Sequence, residues 1–181
     1  MCSSDLELWT AVAINVALLG LFGVQHSIMA RPAFKEWWTQ FVPKPVERST
    51  FMLATSLVLI LLFWQWRPIP QEVWRIDNQA GFAALLALSG IGWLIVLAAT
   101  FMIDHFDLFG LKTTYHHFAG RETEPLEFKQ VMLYRYIRHP IMTGFLIAVW
   151  ATPVMTAGHL LLAVVVTAYV QIGRASCRER V

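Results

Sequence analysis

Residues Leu133–Gly144 read Leu-Tyr-Arg-Tyr-Ile-Arg-His-Pro-Ile-Met-Thr-Gly, and a polar, basic part of the chain ends in this stretch. From Pro140 onward the sequence is apolar almost to Ala157. Proline is favoured in the first turn of a helix because its missing N–H has no helical partner to lose. The stretch therefore predicts a helix that begins at Pro140, with Arg138 and His139 at its mouth. Unpaired N–H groups and the helix dipole favour an anion at such a mouth.

The same residues allow a simpler interpretation. Arg and Tyr side chains often anchor the end of a membrane helix by reaching into the lipid interface. On this stretch alone, anchoring is favoured over the binding of a cofactor. The rest of the chain has to decide between the two.

The composition is that of a membrane protein. Of the 181 residues, 57% are hydrophobic and 14% are charged, whereas soluble domains carry about 25% charged residues. The mean hydropathy is +0.54. The net charge of +2 is too small to indicate a nucleic-acid partner. The two cysteines lie near the ends of the chain, at positions 2 and 177, and indicate neither a disulfide nor a metal site.

The apolar residues fall into about five segments, which predict an all-α, polytopic bundle of membrane helices. These segments are Leu8–Val24, Phe51–Trp66, Ala80–Ile103, Ile141–Ala157 and Leu160–Val170. About 20 residues cross the hydrocarbon of a bilayer. The first segment lacks the basic start of a signal peptide, so a membrane helix is favoured there.

The last two apolar segments are predicted to form a helical hairpin, with a tight turn at Gly158-His159. The fifth segment has eleven residues, which is too short to span. It is either half of a partly inserted hairpin or a helix that has been cut, and the cut helix is favoured.

Both ends of the chain resemble translated sequencing adapters. Cys2–Leu6 matches one adapter end, and Ile172–Val181 is a charged string that follows an apolar run. We therefore expect residues 1–6 and 172–181 to be non-native, and residues 7–171 to form one incomplete membrane domain. A genuine basic tail after a helix is the alternative for the second end.

The connections between the segments predict which side faces the cytoplasm. Phe34–Trp38 is a short amphipathic stretch expected to lie in the interface. Pro43 and Pro45 are expected to end it, and Glu47 to open the second segment. Nine Lys and Arg residues lie in the first and third connections and two in the second. The positive-inside rule places the first and third connections, and with them Arg138, in the cytoplasm.

Four polar residues near the third connection could ligate a metal, namely His105, Asp107, His116 and His117. Their spacing matches no common ligand motif, so an interfacial loop is favoured and no metal is expected. His26 is interpreted as a packed residue, and Glu47-Arg48 as a local ion pair or a contact to a cofactor. The sequence contains no nucleotide-binding fingerprint and no GxSxG.

A family resemblance enters at the Arg-His-Pro stretch. Arg138-His139-Pro140, with Gly144 four residues past the proline, resembles the cofactor signature of the isoprenylcysteine carboxyl methyltransferase superfamily of membrane methyltransferases. Further stretches resemble the bacterial methanethiol S-methyltransferases, which are grouped with NnrU-like membrane proteins. They are Gln25–Pro32, Glu47–Thr50, Phe63–Trp66, His105–Leu111 and Trp150–Pro153. The whole set in order is more specific than the Arg-His-Pro stretch by itself.

The resemblance implies an integral membrane enzyme that uses S-adenosylmethionine and converts a small thiol, methanethiol, to dimethyl sulfide. It implies a bacterial inner membrane location with the cofactor on the cytoplasmic side. The implied cofactor-binding residues are Tyr136, Arg138, His139, Pro140 and Gly144. Either His139 or His105 is the candidate to take the thiol proton, and the sequence does not choose between them.

The resemblance also has gaps. The superfamily's second cofactor-binding element, an acidic segment after the last helices, has no match here, so we expect the chain as it stands to turn over little methanethiol. One alternative is a carboxyl methyltransferase of the isoprenylcysteine type. The other is a non-enzymatic or redox-associated membrane protein of the NnrU type.

Overall fold

The computed structural model describes residues 2–102, 110–121 and 139–178. The described elements, in chain order, are α1 (Cys2–Met29), α2 (Pro32–Trp38), α3 (Lys44–Gln65), β1 (Glu72–Arg75), α4 (Gln79–Met102), α5 (Leu111–Phe118), α6 (Pro140–Trp150), β2 (Val154–Thr156) and α7 (Ala157–Arg178). Helices dominate, which confirms the predicted helical class.

Among the helices that the structure describes, three are long and apolar enough to cross a membrane. They are α1, counted from Leu6, together with α3 and α4. Only 11% of the most apolar 18-residue stretch of each of these helices is buried within the protein. Such helices turn apolar side chains outward, as helices surrounded by lipid do. These three helices confirm that the chain is a membrane protein, as the composition predicts.

The chain divides into two compact units. The described parts of residues 1–16, 67–99 and 132–181 form the first unit, and those of residues 17–66 and 100–131 form the second. Each unit has its own contacts and is considered separately below.

In the first unit, a small antiparallel sheet joins two loops. β1 pairs with β2 in the register Trp74↔Met155 and Arg75↔Val154. Met155 is fully buried and Ile69 is 4% exposed, so they form an apolar core beside the sheet. On the exposed surface of β1, a hydrogen bond from Arg75 lowers the pKa of the Glu72 carboxyl below its ordinary value. Loop or helix was predicted at both strands, which was wrong.

The predicted hairpin of the last two apolar segments is confirmed. The indole N–H of Trp150 on α6 donates to the Thr167 hydroxyl on α7 at 2.9 Å. The predicted turn at Gly158-His159 was wrong, because both residues lie in the first turn of α7. The backbone N–H of His159 donates to the Thr156 hydroxyl at 3.3 Å. This is the contact expected of an N-cap threonine.

α7 is longer than the eleven-residue run that the sequence predicts. It has 22 residues and continues through Ile172 to Arg178. The prediction ended it at Val170 because hydropathy falls there, but Gln, Arg and Ala residues are good helix formers without being apolar.

In the second unit, α3 begins seven residues before the predicted start at Phe51. Pro43 is its N-cap residue and Pro45 lies in its first turn. These prolines were expected to end the amphipathic stretch, and α2 does end before them, at Trp38. They also begin α3, since proline is well tolerated in the first turn, where its missing N–H costs nothing. The short helix predicted near Phe34–Trp38 is confirmed as α2.

Candidate functional site

The mouth of α6, meaning His139 and Pro140, lies where the sequence predicts a helix start. His139 is the N-cap residue and Pro140 the first helical residue. The side chain of His139 makes no capping hydrogen bond and is exposed, while Pro140 is fully buried. The first four N–H groups of any helix lack partners within it. The mouth therefore combines an exposed imidazole with the positive end of an eleven-residue helix.

Gly144, predicted to bind the cofactor, lies in a close contact with α4. A Cβ atom added to Gly144 would lie 2.7 Å from the carbonyl oxygen of Gly92 and 2.9 Å from a methyl group of Val96. A Cβ atom added to Gly92 would lie 2.6 Å from the backbone nitrogen of Ala148. Helix packing thus accounts for the glycine, and its contact with a cofactor stays a prediction.

Two further contacts hold α6 against α4. The Ser89 hydroxyl donates to the carbonyl oxygen of Ala148 at 2.9 Å. The rings of Trp93 and Phe145 pack edge to face with centroids 5.5 Å apart. Small residues that let backbones approach, joined by a hydroxyl hydrogen bond, are typical of helix pairs in membranes.

Several predicted site residues lie outside the described residues. Tyr136 and Arg138, predicted to bind the cofactor, belong to this group, as do His105, a candidate base, and Asp107. His116 and His117 lie on α5. Within the part of the chain that the structure describes, no three His, Cys, Asp or Glu residues are grouped closely enough to hold a metal ion.

Glu47 was predicted to pair with Arg48 or to contact a cofactor; the pairing was wrong, and the cofactor contact stays a prediction. The Glu47 carboxylate lies 3.5 Å from the ammonium of Lys35, and its side chain is 17% exposed. Adjacent residues on a helix point in different directions, whereas α2 brings Lys35 across to the first turn of α3. The pair connects α2 to α3 within the second unit.

The contact of α3 with α5 depends on hydroxyl groups, one of which, that of Ser49, lies in the Glu47–Thr50 stretch that carries part of the family resemblance. Ser49 and Thr114 share a hydrogen bond of 2.7 Å, and Ser49 also donates to the carbonyl oxygen of Gly110 at 2.9 Å. The carbonyl oxygen of Pro45 lies 3.4 Å from the Thr114 hydroxyl and is a second, weaker acceptor for the proton that Thr114 donates to Ser49. We call these four residues the hydroxyl cluster. It fixes the start of α5 against the first turns of α3.

His26 is packed, as predicted. Its ring stacks on Phe22 with centroids 5.6 Å apart and tilts against Phe51 at 5.0 Å. The neighbouring Gln25 donates to the Thr55 hydroxyl at 3.4 Å. These contacts tie α1 to α3 within the second unit.

Asn15 is a buried polar residue that was not predicted to have a role. Its amide is fully buried and makes two hydrogen bonds with Arg67: it donates to the carbonyl oxygen at 2.8 Å and accepts from the backbone N–H at 2.9 Å. A lone Asn in an apolar segment is costly unless paired. That cost was the available signal, but the partner is a distant backbone that no local pattern marks.

Comparison with known proteins finds one family model and several relatives that each match most of the chain. The family model described as NnrU protein matches residues 14–180. Methanethiol S-methyltransferase 1 of Bradyrhizobium diazoefficiens is 52% identical over 172 residues, covering 95% of this chain and 60% of that protein. The methanethiol S-methyltransferase of Mycobacterium tuberculosis is 52% identical over 162 residues, covering 90% of this chain and 66% of that protein.

A more distant relative carries a different name. Nurim of Bos taurus is 32% identical over 174 residues, covering 91% of this chain and 66% of that protein. The chain thus spans somewhat under two thirds of the length of these curated relatives. No solved structure matches the chain.

Proposed function

The chain belongs to the NnrU protein family, and on that premise we propose that it is a membrane methyltransferase that moves a methyl group from S-adenosylmethionine to methanethiol. The observation that carries the proposal is the set of relatives near 50% identity that bear the name methanethiol S-methyltransferase. The membrane helices support it, because a small apolar thiol partitions into lipid.

The mouth of α6 fits the methyl donor. The donor carries a carboxylate, which the positive end of a helix favours and which Arg138 can hold by a charge-assisted hydrogen bond. Tyr136 offers an aromatic face to a cationic or flat group. When bound, S-adenosylmethionine supplies a methyl group on a sulfonium, and little further chemistry is needed.

The chain's own residues then have three tasks, which are to orient the thiol, to exclude water and to accept a proton. Alignment of sulfur with the methyl carbon supplies much of the acceleration in reactions of this kind. The thiolate is a better nucleophile than the thiol. The imidazole of His139 is exposed at the mouth and is the candidate to take the S–H proton, with His105 as the alternative.

We place the mouth on the cytoplasmic side of a bacterial inner membrane. Lys and Arg residues are concentrated in the first and third connections and are sparse between α3 and α4. Reporter fusions after Asp77 should therefore lie outside and fusions after Gly120 inside. The reverse pattern would remove the cytoplasmic cofactor from the proposal.

The activity test measures dimethyl sulfide in the headspace above membranes given methanethiol and S-adenosylmethionine. One sample contains the 181-residue chain. A second contains a chimera in which residues after Gln171 are replaced by the corresponding part of the Bradyrhizobium relative. A prenylated cysteine acceptor is assayed in parallel. Dimethyl sulfide from either protein supports the proposal, whereas methylation of the prenylated cysteine and not of methanethiol would favour a carboxyl methyltransferase.

Two substitutions, one at the mouth and one at the arginine just before it, test the site in whichever protein is active. The Arg138→Ala substitution should weaken donor binding by about 1.5–3 kcal/mol, the usual value of a hydrogen bond to a charged group. The His139→Ala substitution should lower turnover. Unchanged donor affinity and turnover in both variants would return the stretch to the role of a lipid anchor.

A further inference from the structure

The contact between α4 and α6 has a definite register. Ser89 bonds to Ala148, Gly92 lies against Gly144 and Ala148, and Val96 lies against Gly144. As the residue number rises on α4 it falls on α6, so the two helices are antiparallel here.

This register fixes the position of the α6 mouth along α4. Pro140 precedes Gly144 by four residues, about one helical turn, and the next turn of α4 after Val96 brings Ala99. Both Pro140 and Ala99 are fully buried. The candidate span of α4 ends at Met102, so Ala99 lies about 5 Å of helix inside that end.

We propose that Gly92 is a positioning residue, which sets the place of the α6 mouth by letting the backbone of α6 rest directly on α4. The consequence for methyl transfer rests on the function proposed above. The position of the mouth itself does not rest on it.

An added side chain at Gly92 has nowhere to go. The three atoms nearest to a Cβ atom added at this position belong to the backbone of α6, at 2.6, 2.8 and 3.0 Å. Ordinary contact begins at 3.4 Å, so an alanine would push the α6 backbone away by about 0.8 Å, the difference between 3.4 and 2.6 Å. Packed interiors transmit such a shift rather than absorb it. Gly90, on the same helix, has no atom within 4 Å of its Cβ position and is the matched control.

The first test measures the mouth without any activity. The His139→Cys substitution is introduced into the chain with Cys2→Ser and Cys177→Ser, and its labelling by a membrane-impermeant maleimide is timed in inside-out vesicles. Adding Gly92→Ala should change the labelling rate by at least about threefold, because the mouth moves with the packed backbone. Adding Gly90→Ala should leave the rate unchanged. Equal rates in all three proteins, or equal changes in both glycine variants, would overturn the proposal.

The second test uses kinetics in the active protein, with His139 and both cysteines intact. The Gly92→Ala substitution should raise the KM for S-adenosylmethionine about tenfold or more, the weakening expected when a hydrogen bond to a charged group of the donor is lost. A purely structural defect would reduce the amount of active enzyme and lower the apparent kcat without changing KM. An unchanged KM in the Gly92→Ala variant would therefore contradict the positioning role.

The two arms separate this inference from the proposed function. If Gly92→Ala alters the labelling rate but the protein without this substitution transfers no methyl group, Gly92 remains the positioning residue and the methyltransferase function is rejected. Methyl transfer with unaltered labelling would do the reverse. Where the Gly92→Ala variant does not accumulate, Ser89→Ala replaces it, because it removes one hydrogen bond to α6 and adds no atoms. It should produce a smaller change in the same two measurements, and no change would count against the proposal.

Discussion

Helices α4 and α6 meet mainly at glycines, with one hydroxyl hydrogen bond from Ser89, whereas α3 and α5 meet mainly through hydroxyl groups. In the first contact, glycines at 92 and 144 bring two backbones together. In the second, Ser49 and Thr114 bond to each other and to backbone carbonyls. Lipid is as apolar as the helix surfaces, so the hydrophobic effect does not drive two helices together in a membrane. Inside an apolar span, close packing has to stabilise their association instead. Near the helix ends, polar groups that would otherwise bond to water become available as connectors.

The contact of α4 with α6 should be the more sensitive of the two. The Gly144→Ala substitution should lower the free energy of unfolding by about 1–3 kcal/mol, the usual cost of overpacking. The clash is with the carbonyl oxygen of Gly92 and with Val96. Thermal unfolding of the detergent-solubilised protein measures it. Gly90→Ala should instead stabilise by up to about 1 kcal/mol through helix propensity, and a loss of stability there would mean that the effect is not one of contact.

Substitutions at the hydroxyl cluster should lower the free energy of unfolding by less. A pair of glycines distinguishes the cost of backbone strain from the cost of a disturbed contact. Gly110 has φ +73° and Gly120 has φ +65°, so alanine at either position costs about 1–2 kcal/mol of left-handed strain. A Cβ atom at Gly110 would also lie 2.9 Å from the Ser49 hydroxyl, whereas Gly120 has open space. Gly110→Ala should therefore destabilise more than Gly120→Ala by about 1 kcal/mol, near the value of the hydrogen bond it disturbs. Equal losses in thermal unfolding would mean that the cluster contributes nothing beyond backbone strain.

The smallest effect is expected at the ion pair between α2 and α3. Lys35 is 46% exposed, opposite Glu47, and such pairs contribute about 0–1 kcal/mol. Lys35→Ala should lower stability by no more than that. The difference should vanish at about 1 M salt, where the Debye length falls to about 3 Å. Lys44→Ala removes the same charge from the start of α3 and is the control. A salt-independent loss at Lys35 would assign its effect to packing of the alkyl chain.

Hydropathy was sufficient to predict where the long helices lie, although not where α1 and α3 begin. The predicted segment Ala80–Ile103 and the observed α4, Gln79–Met102, differ by one residue at each end. Apolar length is a local property, and a membrane helix satisfies its own backbone hydrogen bonds. His26, which was predicted to be packed from its place beside Gln25, does pack against Phe22 and Phe51.

Features that depend on distant partners were not predictable. β1 and β2 are four and three residues long, and each is defined by the other, about 80 residues away along the chain, as in the pairing of Glu72 with Thr156. Asn15 is satisfied by the backbone of Arg67, which leaves no trace in either local sequence. Gly144 is a further case. A glycine in a sequence motif can make room for a ligand or for a neighbouring helix, and the sequence is the same in both cases. The packing of Gly144 against Gly92 is visible only in the structure.

The central claim is that this chain's family machinery carries a methyl group from S-adenosylmethionine to a thiol. The most direct measurement supplies S-adenosylmethionine with a trideuterated methyl group, together with unlabelled methanethiol, to membranes containing the chain or its chimera, and follows the products by mass spectrometry. We predict dimethyl sulfide heavier by three mass units, formed in step with S-adenosylhomocysteine. Unlabelled dimethyl sulfide, or no product from the chimera while the Bradyrhizobium relative is active in the same membranes, would contradict the account.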